Sequence, residues 1–303
     1  MDKLIKEFPE DTILKIFYDS NKKAQRIQQL TKLLKYADGD RLYPNYNFMC
    51  ESSHRTAAAQ PELHNLSTKV PRFFIQPDED PTLYNIRNLL YAAPNVFELD
   101  FSQQEARYMA YKTQEPALVK TFLDNQDPAQ KVADDLNITR AQAKTVLYGL
   151  PYGRGVKDLS KKLNIPLTQA EIISNNFREK YPILQEYIKE LKLLDKVKSP
   201  LLGRTVRFSR YKEYTKFNWL IQGGCVDLLL VALDYVLDHE EVELRGHYHD
   251  SLVLACLCSE FHPGCSTATR IRQELEKLYD FYWPNTNIRI LKFGEVEWTE
   301  KGG

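Results

Sequence analysis

Two aspartates at strand positions, with a cationic helix lying between them in the chain, constrain this sequence more than any other feature. Asp100 ends the apolar run Val96-Phe97-Glu98-Leu99 and is placed at a strand end, while Asp250 falls in Leu244 to Leu254, within or beside another strand. Two such carboxylates brought together on adjacent strands can hold a pair of divalent cations. The segment between them carries Arg140, Lys144, Tyr148 and Tyr152 at steps of four. Steps of four keep side chains on neighbouring parts of one helical face, drifting by about 40° each time. Cations suit a polyphosphate and rings suit a stacked base or sugar, so this face is expected to be a nucleoside triphosphate platform. Gly149, Pro151 and Gly153 break the helix at its end, and Asn137 or Thr139 can cap its start.

Around this frame the charge is segregated, although 41 Lys and Arg against 41 Asp and Glu give no formal net charge. Residues 192–216 hold Lys192, Lys196, Lys198, Arg204, Arg207, Arg210, Lys212 and Lys216 against Asp195 and Glu213. Residues 234–260 hold seven acids against Arg245. The first segment is a candidate phosphate-contacting stripe, whose binding would weaken with salt, or a solvated face; the second faces metals or solvent.

Five cysteines, the lack of an apolar N-terminal signal region and of an apolar run near ~18 residues point to a cytoplasmic or other reducing compartment and to no membrane. Cys256, Cys258, His262 and Cys265 have irregular spacing for zinc, and ordinary buried thiols are the stronger reading. His247 and His249 alternate on a strand and are expected to flank Asp250 rather than bind metal. Asp227 and Asp234 are expected on the polar side of an apolar helix. Tyr84, Tyr91, Tyr108 and Tyr111 are expected to pack.

Together these segments resemble the A-family DNA polymerases, the group that includes bacterial DNA polymerase I. Asp100-Phe101-Ser102-Gln103-Gln104-Glu105-Ala106-Arg107 resembles the family's first palm motif, Arg140 to Gly153 its fingers motif, and His249-Asp250 its second palm motif. Arg55 with Gln60 to Leu66 is similar to its template- and primer-contacting segment. Ile86-Arg87, Leu202-Gly203-Arg204, Phe217-Asn218 and Ile221-Gln222-Gly223 fall where the family has similar residues. Any one motif alone is weak, and their order and spacing carry the resemblance.

The resemblance implies an α+β polymerase right hand with an antiparallel palm sheet, a helical fingers insertion and a reduced helical thumb. Its expected parts are a thumb remnant at 1–45, palm at 46–115 and 217–303, and fingers at 116–216, with no proofreading exonuclease domain. It implies a template-directed DNA polymerase in which Asp100 and Asp250 hold two Mg²⁺ ions, with Mn²⁺ as a substitute. Arg140 and Lys144 would meet the triphosphate, Gln103 the nucleotide, and Glu105 the place of a ribose 2′-hydroxyl as steric gate. Tyr148 would take the place of a missing 3′-hydroxyl and confer dideoxynucleotide tolerance. Arg55, Asn65, Tyr152, Asn218, Gln222, His249 and Arg204 would contact DNA.

Partners implied are a DNA primer-template, deoxynucleoside triphosphates and a processivity, helicase or primase protein supplying the grip of a short thumb. Three positions depart from the family pattern. Ser251 stands where a second acid usually follows the motif aspartate, Asp127-Pro128-Ala129-Gln130 lacks the fingers histidine, and the stretch to Arg140 is short enough for a fingers helix to be missing or reduced. The His-Asp-Ser run also resembles phage-type single-subunit RNA polymerases, which carry a small residue where Glu105 stands. Alternatives are that RNA polymerase, a reverse transcriptase, or a catalytically weak primer-template binding subunit.

Overall fold

The apolar run that places Asp100 at a strand end also builds the sheet that carries it. A computed structural model describes residues 11–39, 41–47, 55–65, 95–199, 201–208, 210–248, 250–257, 265–282, 288 and 292–298. It opens with helix α1 (Thr12–Lys35), short strands β1 (Ala37–Asp38) and β2 (Arg41–Leu42), and the antiparallel pair β3 (Asn45–Asn47) and β4 (Ala57–Ala59). Strand β5 (Val96–Asp100) then leads into a helical stretch of α2 (Gln104–Thr113), α3 (Pro116–Leu123), α4 (Pro128–Leu136), α5 (Arg140–Gly149), α6 (Val156–Leu163), α7 (Leu167–Lys180) and α8 (Pro182–Leu193). A hairpin of β6 (Lys196–Lys198) and β7 (Thr205–Arg207) precedes α9 (Lys216–Leu237), and the chain closes with β8 (Val242–Tyr248), β9 (Ser251–Cys256), α10 (Ser266–Tyr282) and β10 (Glu297–Trp298).

The main sheet is antiparallel in the order β10-β5-β9-β8, so segments from both sides of the helical stretch meet in it. Alternation along each strand sends neighbouring side chains to opposite faces. Phe97, Leu99, Leu252 and Leu254 enter the large core with α2 and α9. Val96, Val253, Ala255 and Tyr248 form a second cluster with Ala58, Leu63 and Leu33 of α1. Each fully buried Leu or Phe contributes about 1.5–3 kcal/mol. The outer α1 contrasts with this, since Ile13, Ile16, Phe17, Ile27 and Leu34 are exposed.

The helix α9 is apolar on nearly every side, as a helix enclosed by its own protein must be. The sequence is expected to hold no apolar run near ~18 residues, but by length and composition Glu213–Leu237 is apolar enough to cross a membrane. In the fold 67% of its most apolar window is buried inside the protein. It presses closely on α2, where a Cβ on Gly224 would fall 2.2 Å from the Tyr108 ring.

One expectation changes here, and some others fall outside the described residues. Asp227 is not on a polar helix face; it is 0% exposed, while Asp234 is exposed. Tyr108 is core and Tyr111 half-buried; Tyr84, Tyr91, Ile86 and Arg87 lie outside the described residues. Cys256 and Cys265 are buried with sulfurs 3.9 Å apart, while Cys258 and His262 lie outside the described residues. The helices α4 and α5 are joined directly by residues 137–139.

Candidate active site

Both aspartates are placed by the sheet's register. Asp100 ends β5 opposite Ser251, the first residue of β9, and the Phe101 N–H donates to the Asp250 carbonyl at 2.9 Å. The Asp100 carbonyl accepts from the Gly294 N–H at 2.9 Å. The two backbones are thus tied at one sheet end while both side chains remain exposed. They line a cavity of about 390 Å³ shared with Gln103, Glu105, Arg140, Lys144 and Tyr148, so residues from both motif regions meet in one space. Gln103 reaches it from a left-handed backbone position, φ 53°, just before α2.

The carboxylates suit a hard divalent cation. They are hard oxygen donors opening on a cationic wall. Magnesium is typically bound by one or two carboxylates, with water and substrate phosphates filling the rest of its shell.

The cationic wall is α5, whose start is fixed by local chemistry. Thr139 and Gln142 form a reciprocal capping box, and Asn137 instead ends α4 in a left-handed conformation. The helix stops after Gly149, and Gly153 adopts φ 89° in the following turn. Arg140 Nε donates to Asp127 Oδ2 at 2.5 Å; the arginine side chain is 58% exposed. Asp127 also accepts from the Ala129 N–H at 2.9 Å and so caps α4 with Pro128 in the first turn. Lys144 is exposed at the next turn of α5. Tyr148 is half-buried; burial, then the nearby charge of Glu105, raises its hydroxyl pKa, so it remains a protonated donor at neutral pH.

Glu105 is held from three sides. Its carboxylate pairs with Arg55 and accepts from the Tyr152 hydroxyl at 2.5 Å and from Gln222 Nε2 at 3.4 Å. Burial above all, and then Glu105, raises the Tyr152 pKa and keeps that hydroxyl a donor. Below this cluster Arg107 donates to the Ser102 carbonyl at 2.9 Å and stacks over Phe122 at 4.6 Å, bracing the turn between β5 and α2.

Comparison with known proteins settles the family. The sequence model for DNA polymerase family A matches residues 2–280. The chain belongs to DNA polymerase family A. It is 26% identical over 301 residues to DNA polymerase I of Helicobacter pylori, covering 90% of this chain and 32% of that protein. Against DNA polymerase I of Aquifex aeolicus it is 24% identical over 280 residues, covering 84% and 46%. The chain therefore spans less than half the length of these family A relatives. A solved structure, the POL domain of Pol1 from M. smegmatis in complex with DNA primer-template and dNTP, superposes with a TM-score of 0.77 at 17% identity, over 98% of this chain and 54% of that one.

Other family A motif positions have different surroundings. Arg204, expected on DNA, is 12% exposed and paired with Asp227, so its charge is used inside the protein. Lys216 of the basic segment is 3% exposed and donates to the Lys192 and Leu194 carbonyls at 2.6 and 2.7 Å. Lys192, Lys196, Lys198 and Arg207 remain exposed. Arg55, Tyr152 and Gln222 converge on Glu105, and Asn218 lies half-buried one turn before Gln222. His247 is buried in a ring cluster, stacked on Tyr46 at 4.4 Å with its carbonyl 2.9 Å from His64 Nε2. His249 and the side chain of Asn65 lie outside the described residues.

Two contributors escaped the sequence reading. Asp127 had a usable signal, because an Asp-Pro pair opening an amphipathic run marks a capped helix start. Glu98 had none, since its partner Ser251 becomes adjacent only through strand register.

Proposed function

We propose that this chain extends a DNA primer on a template by adding deoxynucleotides, and that these 303 residues contain no proofreading site of their own. The observation that carries this is the single cavity shared by Asp100, Asp250, Arg140, Lys144 and Glu105. In the reaction the primer 3′-oxygen bonds to the α-phosphorus, the bond to the bridging oxygen breaks, and pyrophosphate leaves. Two bound magnesium ions would supply activation of the 3′-hydroxyl and neutralisation of charge on the leaving group.

In this reading Asp100 and Asp250 hold the ions. Arg140 exchanges Asp127 for the triphosphate, and Lys144 meets the same charge one turn along α5. Preorganised cations stabilise developing charge without a protein base, as phosphoryl-type transfer favours. Glu105, fixed by Arg55, Tyr152 and Gln222, fills the space of a 2′-hydroxyl and selects deoxynucleotides. Tyr148 donates its hydroxyl where a substrate 3′-hydroxyl is missing. Gln103 lies beside the nucleotide, and Arg55, Asn65, Tyr152, Asn218, Gln222 and His249 lie toward the primer-template.

The proposed body plan keeps residues 1–45 as thumb, 116–216 as fingers and the flanking segments as palm, with a further protein supplying processivity. Cys225 is a buried free thiol, which fits a reducing compartment. Glu105 favours DNA synthesis over an RNA polymerase reading.

The test is extension of a labelled primer on a DNA template, with deoxynucleotides or ribonucleotides, in magnesium and in manganese. Template-directed extension with deoxynucleotides is expected, and Glu105→Ala should cut discrimination against ribonucleotides by about 10²-fold. Absence of extension in either metal, with primer-template binding intact, would refute the enzyme reading.

A further inference from the structure

The sheet face that bears Asp100 carries another acid close to the pair. Glu98 precedes Asp100 by two residues on β5, so both side chains leave the same face. Across the sheet the Ser251 hydroxyl donates to Glu98 Oε1. Ser251 is the register partner of Asp100, directly follows Asp250, and is 2% exposed. A single residue therefore connects this carboxylate to the turn that holds the other motif aspartate.

Glu98 is half-buried, and among the described residues it has no cationic partner. A carboxylate withdrawn from water usually faces a cation or several donors. The serine hydroxyl satisfies one acceptor site and none of the charge. The remaining negative charge lies along the same strand face as Asp100, where the proposed reaction requires divalent cations.

We propose that Glu98 is a positioning residue for divalent cations at Asp100 and Asp250, acting through Ser251. Its carboxylate fixes the Ser251 hydroxyl, and so the start of β9 behind Asp250, and adds negative charge next to the pair without ligating the ions. Ser251 thereby compensates for its lack of charge by recruiting an acid from the neighbouring strand. This rests on the site reading given above.

The experiment measures Mn²⁺ binding by electron paramagnetic resonance in the complex with primer-template and deoxynucleotide, using a dideoxy-terminated primer so that no turnover occurs. The proteins are wild type, Glu98→Gln, Glu98→Asp, Ser251→Ala and Asp250→Asn, each checked for primer-template affinity and melting temperature. Glu98→Gln keeps the size and a hydrogen-bond acceptor, and should weaken Mn²⁺ binding about ten- to a hundredfold, the range for residues that orient metal ligands. Ser251→Ala should weaken it in the same direction and Glu98→Asp should recover part of the loss. Wild-type Mn²⁺ affinity in Glu98→Gln, with binding lost in Asp250→Asn, would overturn the role of Glu98 and leave the site standing. Unchanged binding in Asp250→Asn would overturn the site reading and this inference together. A lower melting temperature with unchanged Mn²⁺ affinity would reduce Glu98 to a structural residue.

Discussion

Two Arg–Asp pairs in this molecule have the same chemistry and opposite circumstances. Arg140 and Asp127 meet at the cavity rim, with side chains 58% and 28% exposed. Arg204 and Asp227 meet between the β6–β7 hairpin and α9, with side chains 12% and 0% exposed. The inner aspartate also accepts from Ser199 and from the Leu202 N–H at 3.2 Å, and Arg204 donates to the Gly223 carbonyl at 2.7 Å. These contacts hold the inner pair within the protein, and little of the Arg204 side chain faces solvent. The outer pair is solvated and contributes little to stability, so Arg140 can exchange its carboxylate for a phosphate at small cost. Motif position marked both arginines as ligand-facing, and burial separates them, with Arg204 also bracing the scaffold.

That contrast can be broken at either pair. Asp227→Ala leaves a buried guanidinium uncompensated and should cost about 3–5 kcal/mol of unfolding free energy in urea titration. A loss below ~1 kcal/mol would place the inner pair with ordinary surface pairs. Arg140→Ala should give the reverse profile. Single-turnover incorporation should fall about 10²–10³-fold, as for loss of one preorganised charge-stabilising group, while unfolding free energy changes by less than ~1 kcal/mol. Equal damage to stability would contradict the exchangeable pair.

The smallest effect should come from Asp127→Asn, because asparagine caps a helix about as well as aspartate but does not neutralise Arg140. Releasing a pair worth about 0.5–1 kcal/mol should lower the deoxynucleotide KM two- to fivefold, less at high salt. An unchanged or higher KM would mean that Asp127 does not compete with substrate.

The legible parts of the fold were those written within one local segment. The capping of α5, its glycine stop, Asp100 at a strand end and Asp250 beside a strand follow from patterns a few residues long. The meeting of those segments in one cavity followed from their resemblance to known motifs, not from periodicity. What stayed hidden depends on partners far apart in the chain. Asp227 looked like a polar-face residue because helical periodicity cannot see Arg204 folding back over α9. Ser251 looked like a lost acid because the glutamate facing it is on another strand. The Glu105 clamp was hidden similarly, since Arg55, Tyr152 and Gln222 come from three distant segments.

The central claim is that Asp100 and Asp250 are the reacting centre of this cavity. Single-nucleotide primer extension under single-turnover conditions in Asp100→Ala and in Asp250→Ala tests it most directly, with primer-template affinity measured on the same preparations. The account predicts that each substitution lowers the rate at least about a thousandfold while the protein remains folded and bound to DNA. Extension at near wild-type rate in either variant would contradict it.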